Sequence, residues 1–256
     1  MRNNILISFI LMLLCGCAAK PAFDNFQSKE KLLLQTGNYK KLVPLYKNRL
    51  AENGADAIRL KLAEAYLKSG DPESAIFISS PLLAAKKTDN MPLYLLQAYS
   101  YYELDEIDKA LRSAEIAKLI EKNNPRIENL LGMIYAASEN YAKARFYFNQ
   151  ARGHLYDDIK IKNNLAVLDM IEGKYQNAIQ LLLPIYSSDN ADPQVKANLL
   201  LAMAKTDAYE NVQSILANEY SPKEISEMYQ ALKNIVPLTT NNELLPAPYS
   251  YQGGMN

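Results

Sequence analysis

The sequence predicts an all-α fold, an α-solenoid of about six helix-turn-helix repeats followed by a C-terminal capping helix. The main observation is one small or aliphatic residue per repeat, spaced by 33, 35, 34, 34 and 34 residues, at Leu42, Ala75, Ala110, Ala144, Ala178 and Val212. A second column, five residues earlier, marks a turn at Gly37, Gly70, Asp105, Glu139, Gly173 and Asp207. A third lies between them, at Tyr39, Pro72, Ile107, Tyr141, Tyr175 and Tyr209. Three columns in one register predict stacked units, because one such helix pair cannot bury its own apolar faces.

The central unit, residues 125–156, shows what kind of helix pair recurs. Its six pattern positions are Leu131, Gly132 and Tyr135 on a first helix, A, and Ala144, Phe148 and Ala151 on a second helix, B. This pattern resembles the tetratricopeptide (TPR) repeat, whose helix A carries Leu-Gly-x2-Tyr and whose helix B carries Ala-x3-Phe-x2-Ala. Small residues at Gly132 and Ala144 let the helices approach closely, and the larger ones fill the surrounding space.

The other units follow the same phase, and the outermost ones diverge from it, as terminal repeats do. In chain order they cover residues 26–53, 57–85, 91–121, 159–188 and 193–218, so the predicted solenoid spans 26–220. Ser221-Pro222-Lys223-Glu224 then forms a capping box with Pro at the first helical position. The helix that it opens, predicted over 221–236, lacks a partner helix and is expected to cover the end of the stack.

The two ends of the chain differ from the repeats. Residues 237–256 mix Pro, Gly, Asn and Thr without periodicity and predict a flexible tail, whose Leu244-Leu245-Pro246 patch is the one stretch that could become ordered on a partner. At the other end, Arg2 precedes an apolar run from Ile5 to Leu14, which predicts a signal peptide over 1–16. The run is too short to span a bilayer as a stable helix.

The signal peptide ends in Leu14-Cys15-Gly16-Cys17, which resembles a bacterial lipobox. That resemblance implies cleavage before Cys17, a diacylglycerol on its sulfur, and a short tether over 17–25. Buried acyl chains would then hold the protein at a membrane surface, at about 0.8 kcal/mol for each methylene. Ala18, rather than Asp, follows Cys17, and by resemblance to the sorting rule of Gram-negative lipoproteins this implies the periplasmic face of the outer membrane. An ordinary secretory signal that happens to end in Cys is the alternative.

Composition and motifs argue against catalysis and against nucleic-acid binding. Lys and Arg total 28, Asp and Glu also total 28, and no basic run is present. We therefore expect no basic surface that could bind the phosphates of a nucleic acid. The sequence has no phosphate-binding Gly-rich loop, no metal-ligand pair and no nucleophile elbow. Its single histidine, His154, is expected to be solvated or lightly packed, and Asp157 and Asp158 to cap the following helix. We therefore expect no enzyme, no small-molecule substrate, and no cofactor beyond the covalent lipid on Cys17.

A TPR stack does offer a groove for a peptide. In TPR folds helix A lines the concave surface, and its second, fifth, sixth, ninth and twelfth positions tend to face the ligand. Carried over to this sequence, those positions hold Tyr99, Tyr102, Arg126, Asn129, Met133, Lys160, Asn163, Asn164, Val167, Met170, Asn198 and Leu201. Asn129, Asn163 and Asn198 recur about once per repeat, and their amides suit a peptide backbone of any sequence. The alternative is that the Asn residues cap helices or bond to neighbouring turns and that the Tyr and Met residues are core.

The C-terminal half is similar to a particular family. Lys162-Asn163-Asn164-Leu165-Ala166, residues 173–184, residues 198–202 and residues 221–225 look like the characteristic blocks of TadD-type lipoproteins of tight-adherence (Flp/Tad) pilus machines. Asp207-Ala208 and Val212 depart from that pattern. The resemblance implies an outer-membrane lipoprotein for assembly of a pilus secretion system, a pilotin-like factor that binds the secretin or another Tad protein through its groove. One alternative is a lipid-anchored adaptor for periplasmic cell-wall hydrolases or proteases, and another is a TPR scaffold that uses no peptide groove.

Overall fold

A computed structural model describes residues 25–84, 89–188 and 192–235 of the 256-residue chain. The predicted signal peptide, Cys17 with most of its tether, and the tail over 237–256 lie outside these residues. Within the described ranges the chain forms helices and no strand. None of the described helices is long and apolar enough to cross a membrane.

The helices follow one another as pairs, and each packs mainly on its neighbours in sequence. Their bounds are α1 Asn25–Gln35, α2 Tyr39–Asn53, α3 Asp56–Lys68, α4 Pro72–Ala84, α5 Met91–Glu103, α6 Ile107–Ile120, α7 Pro125–Ala137, α8 Tyr141–Gly153, α9 Asp158–Ile171, α10 Tyr175–Ser187, α11 Pro193–Lys205, α12 Tyr209–Leu216 and α13 Pro222–Asn234. Odd-numbered helices from α1 to α11 are the A helices, and even-numbered ones are the B helices. Successive A helices from α3 onward also contact each other, which builds the two layers of a solenoid.

The turn inside each pair has the same backbone conformation throughout. All six residues of the predicted turn column, Gly37, Gly70, Asp105, Glu139, Gly173 and Asp207, have a φ angle between 57° and 86°. This left-handed region suits glycine and strains residues that carry a Cβ atom. The column therefore marks a structural requirement that three positions meet with glycine and three meet with Asp or Glu at some cost.

Side chains that the sequence offers as caps begin several helices. The Asn140 side chain accepts a hydrogen bond from the Lys143 amide at the start of α8, and Asp157 accepts two at the start of α9, as predicted. Before α13, the Ser221 side chain accepts from the Glu224 amide and the Glu224 carboxylate accepts from Ser221, so the predicted capping box is present. These bonds satisfy amides that have no partner inside the helix.

Small residues hold the two layers together. The column residue is fully buried in every pair from α3–α4 onward, and in the central pair Phe148 lies directly against Gly132. A Cβ atom added at Gly132 would lie 2.5 Å from two ring carbons of Phe148. Gly132 is therefore needed for the close packing of α7 on α8, because interiors at this density leave no room for a methyl group.

The last helix covers the end of the stack, where Tyr209 of α12 and Tyr229 of α13 meet edge to face with ring centres 5.0 Å apart. Helix α13 packs on both α11 and α12 and buries Ile225 and Tyr229. At its C-terminal end the Lys205 ammonium of α11 donates to the backbone carbonyls of Lys233 and Ile235. The chain thus leaves the solenoid beside the end of the last A helix.

Candidate functional site

The concave surface, defined as the face of the A helices turned away from the B helices, carries a cleft near its N-terminal end. The cleft has a volume of about 60 Å³ and lies where α3, α5 and α7 adjoin. Its lining is Leu60, Glu64, Met91, Pro92, Leu95, Leu96, Tyr99 and Arg126. Leu60 and Leu95 stand 35 residues apart, as do Glu64 and Tyr99, so the cleft repeats two register positions on α3 and α5. Six of its eight lining side chains are uncharged and mostly apolar, which suits the insertion of an apolar side chain.

Two charged groups border this apolar cleft from different helices. Glu64 of α3 forms an ion pair of 2.7 Å with Lys68 on the same helix, and the Lys68 side chain is only 5% exposed. Burial lowers the pKa of the Lys68 ammonium, and the Glu64 carboxylate opposes that shift. On the opposite side Arg126 of α7 is half-buried. The negative charge on the α3 side is therefore paired within its own helix, and the α7 side is basic.

By exposure, the twelve predicted groove residues divide into two half-buried residues and ten buried ones. Tyr99 and Arg126 line the cleft, and Arg126 and Lys160 are half-buried. The other ten, including Tyr99, expose no more than 6% of their surface in the full-length chain, and Val167 exposes none. The main hydrophobic core includes six of them: Tyr99, Tyr102, Met133, Val167, Met170 and Leu201. Whether they contact a partner stays a prediction.

The asparagines form bonds between repeats. The Asn164 amide nitrogen donates to Asn129 Oδ1 at 3.0 Å, and the Asn198 amide nitrogen donates to Asn163 Oδ1 at 2.9 Å. Each bond joins residues 35 apart on successive A helices. Asn129 Oδ1 and Asn163 Oδ1 thus each accept one bond from the next repeat, and whether these side chains also bind a peptide stays a prediction. Asn164 Oδ1 is buried and has no hydrogen-bond partner among the described residues.

Tyr102 is a second buried polar group on the concave side. Its side chain is 2% exposed, and its hydroxyl has no hydrogen-bond partner in the described part of the chain. Burial raises the pKa of the Tyr102 hydroxyl above its usual range, and the nearby Glu103 and Asp105 carboxylates add to the shift. An unpaired buried hydroxyl costs about 1–3 kcal/mol, so Tyr102 lowers stability relative to phenylalanine.

Groups that carry chemistry elsewhere are engaged in structural pairs. The His154 side chain is 33% exposed, in line with the light packing expected of it, and its Nδ1 atom lies 2.7 Å from Oε2 of the buried Glu128. Arg145 of α8 donates to Asp169 and Glu172 of the next pair, at 2.9 and 2.6 Å. No group of three or more metal-ligating side chains is brought together within residues 25–84, 89–188 and 192–235.

Sequence reasoning missed most of the cleft. Of its lining, it identified Tyr99 and Arg126 and passed over Leu60, Glu64, Met91, Pro92, Leu95 and Leu96. The signal that could have found them is the register itself, because α3 carries the same face as α5 and α7. None of the predicted groove residues lies on α3, the A helix of the second repeat.

Comparison with known proteins supports the fold and goes no further. No family model matches the sequence, and no curated protein matches it. Among solved structures, a thermophilic TPR protein of Thermus thermophilus is 20% identical, with a TM-score of 0.61 over 70% of this chain and 97% of that one. The chain folds as a TPR solenoid.

Two further structures agree with this TPR fold. A tetratricopeptide repeat protein from Parabacteroides merdae is 17% identical, with a TM-score of 0.51 over 82% of this chain and 98% of that one. A chain of the Cut9–Hcn1 hetero-tetramer of the APC/C is 18% identical, with a TM-score of 0.62 over 79% of this chain and 42% of that one. At such low identity the likeness concerns the fold alone.

Proposed function

We propose that this chain is a non-catalytic, lipid-anchored TPR protein that binds a segment of another protein on its concave surface. The observation that carries the proposal is the cleft between α3, α5 and α7, where apolar side chains of successive A helices converge. Leu60 and Leu95 provide the apolar contact, and Arg126 provides a basic border. A protein segment with one or two apolar anchors fits such a site better than a phosphate or a metal ion does.

The partner that we propose is the secretin, or another protein, of a Flp/Tad pilus secretion system. Support comes from the blocks over 162–166, 173–184, 198–202 and 221–225, which resemble TadD-type lipoproteins. The lipobox resemblance at Cys17 and the Ala18 that follows it support an anchor at the periplasmic face of the outer membrane. A pilotin-like role then needs no catalysis, because confining the solenoid and the secretin to one surface raises their effective concentration.

The experiment is a pull-down of the lipidated protein from cell envelopes, with identification of what co-purifies. The test variant, Leu60→Glu with Arg126→Glu, places negative charge in the apolar part of the cleft and reverses its border. The matched control, Phe77→Glu, changes a side chain of α4 that is 76% exposed and lies outside the cleft. Circular dichroism of all three proteins checks that the helices are retained.

Recovery of a secretin or another pilus subunit by the wild type and by Phe77→Glu, and its loss in the double variant, would support the proposal. Recovery of a pilus subunit that the double variant keeps would contradict the cleft as the binding site. Recovery of peptidoglycan hydrolases or proteases in place of pilus subunits would contradict the pilus function and support the adaptor function.

A further inference from the structure

The first helix pair carries a concentrated positive charge, although the chain as a whole is neutral. Residues 25–53, which contain α1 and α2, hold six basic side chains and two acidic ones, a net charge of +4. Residues 54–256 hold 20 basic and 25 acidic side chains, a net charge of −5. Excess charge of one sign on one part of a surface attracts partners of the opposite sign. The neutral total of the chain therefore does not describe this pair.

The lysines of the first pair are not neutralised by its acidic side chains, because both of these are engaged elsewhere. Glu30 accepts hydrogen bonds from the Tyr46 hydroxyl and the Lys61 ammonium, each at 2.8 Å. Glu52 pairs with Arg49 at 3.0 Å. Among the described residues, none of the five exposed lysines of the pair forms an ion pair: Lys29, Lys31, Lys40, Lys41 and Lys47.

The outer side of this pair, called here the open end, is defined by Lys29 and Leu32 of α1 and by Lys41, Leu45 and Arg49 of α2. A cavity of about 280 Å³ lies between the two helices, and Lys29, Leu45 and Arg49 help to line it. No residue of α3 or of a later helix lines this cavity, so it belongs to the end of the stack. Leu32 lies three residues after Lys29, and Lys41 four before Leu45, so each shares the side of its neighbour.

The two ends of the solenoid differ in what covers them. At the C-terminal end α13 packs on both α11 and α12 and buries Ile225 and Tyr229. At the open end α1 contacts only α2 among the described helices, and it has no buried residue. Leu32 and Leu34 stay 60% and 46% exposed in the full-length chain. Exposed apolar side chains beside unpaired lysines are typical of an interaction surface.

An anionic phospholipid surface matches the open end in charge, in chemistry and in position. Lysines near a membrane attract anionic headgroups, and neighbouring leucines can enter the boundary between the headgroups and the acyl chains. Helix α1 begins at Asn25, eight residues after Cys17, so its start lies within about 29 Å of the proposed lipid even if the chain is extended. The end with the excess positive charge is therefore the end that the anchor holds near the membrane.

We propose that the open end binds the anionic phospholipid surface to which Cys17 is anchored, and that this contact orients the solenoid. The proposal rests on the proposed function only for the lipid anchor. Because the lipid confines the chain to the surface, a weak contact is sufficient to set its orientation. The first helix pair then lies on the headgroups, and the cleft, which begins on α3 of the next repeat, lies close to the membrane.

The test measures vesicle binding by the mature chain with Cys17→Ser, so that no lipid anchor contributes. Vesicles of phosphatidylcholine alone are compared with vesicles of equal parts phosphatidylcholine and phosphatidylglycerol. We expect the chain to bind the anionic vesicles at low salt and to leave them at high salt, because salt screens the attraction. Little binding to the neutral vesicles is expected at either salt concentration.

The test variant is Lys29→Gln with Lys41→Gln, and the matched control is Lys122→Gln with Lys223→Gln, which removes two exposed lysines far along the chain from the open end. Each basic residue near an anionic surface strengthens binding about fivefold. The test variant should therefore bind anionic vesicles roughly 25-fold more weakly than the parent chain, and the control should stay within about threefold of it. Circular dichroism of all three proteins checks that the helices are retained.

Several results would overturn the inference. These are equal binding to neutral and anionic vesicles, binding to neither, and equal losses in the test and control variants. In the envelope pull-down, a pilus subunit lost by Lys29→Gln with Lys41→Gln while vesicle binding is unchanged would assign the open end to an acidic protein instead. The vesicle measurement needs no protein partner, so failure of the proposed secretin function leaves it interpretable.

Discussion

The bond between Asn164 and Asn129 predicts an unequal pair of mutational effects. Asn129→Ala removes the acceptor and leaves the Asn164 side chain, which is 1% exposed, with neither its nitrogen nor its oxygen paired among the described residues. Asn164→Ala leaves Asn129 Oδ1 without that donor, but it also removes an oxygen that already lacks a partner within that part of the chain, so the number of unpaired buried atoms does not rise. Asn129→Ala should therefore lower the free energy of unfolding more than Asn164→Ala does.

The magnitudes follow from the cost of a buried polar group without a partner. Leaving the Asn164 amide unpaired costs about 1–3 kcal/mol, whereas the net contribution of a neutral hydrogen bond is about 1 kcal/mol. We expect a loss of about 2–3 kcal/mol for Asn129→Ala and about 1 kcal/mol for Asn164→Ala. The double variant should be less destabilised than the sum of the two, with a coupling of about 1 kcal/mol.

The assay is urea unfolding of the mature chain with Cys17→Ser, fitted with a nearest-neighbour model because solenoid repeats unfold with limited cooperativity. Asn129→Ala combined with Asn198→Ala is the matched control, since these residues share no hydrogen bond and their effects should add to within about 0.5 kcal/mol. A coupling near zero between Asn129 and Asn164, or a larger loss for Asn164→Ala than for Asn129→Ala, would refute the bond as a stabilising contact between repeats.

Four further changes test the packing, the turns and the buried Tyr102 hydroxyl. Gly132→Ala should lower the unfolding free energy by up to about 2 kcal/mol, because overpacking against Phe148 costs about 1–3 kcal/mol and helix propensity returns about 1 kcal/mol; adding Phe148→Leu should relieve the loss. Glu139→Gly should raise it by about 1 kcal/mol by removing left-handed strain, and Gly173→Ala should lower it by a similar amount, both in urea unfolding. Tyr102→Phe should raise it by about 1 kcal/mol at neutral pH. Because burial raises the pKa of Tyr102, the unfolded chain ionises first above about pH 10, so wild type should lose stability there and Tyr102→Phe should lose less. Unchanged alkaline unfolding curves would contradict the buried, unpaired hydroxyl.

The repeat architecture could be predicted because the same short pattern of small, turn and aromatic residues recurs along the chain. Ala144 and its counterparts mark where B helices meet A helices, and the turn column marks the left-handed residues, so one register fixes both features. The capping box before α13 is equally local. Within each repeat these features depend on residues a few positions apart, and their recurrence every 33–35 residues is visible in a single sequence.

The site could be predicted only in part, because register fixes the face of a helix and not the partner of each side chain. Asn163 and Asn198 were placed on the concave face, but the bond between them depends on how two repeats are offset. Leu60 and Leu95 form the cleft only when three A helices adjoin. The pair formed by His154 and Glu128 joins α7 to the end of α8 and could not be read from a lone histidine in a turn.

Photo-crosslinking in intact envelopes tests the central claim most directly. A photoreactive residue at position 60, in the cleft, is compared with one at position 77, on the exposed face of α4. Binding on the concave surface predicts a crosslink from position 60 to a secretin or another pilus subunit, and none from position 77. A crosslink to such a subunit from position 77 alone, or capture of a cell-wall hydrolase from position 60, would contradict it.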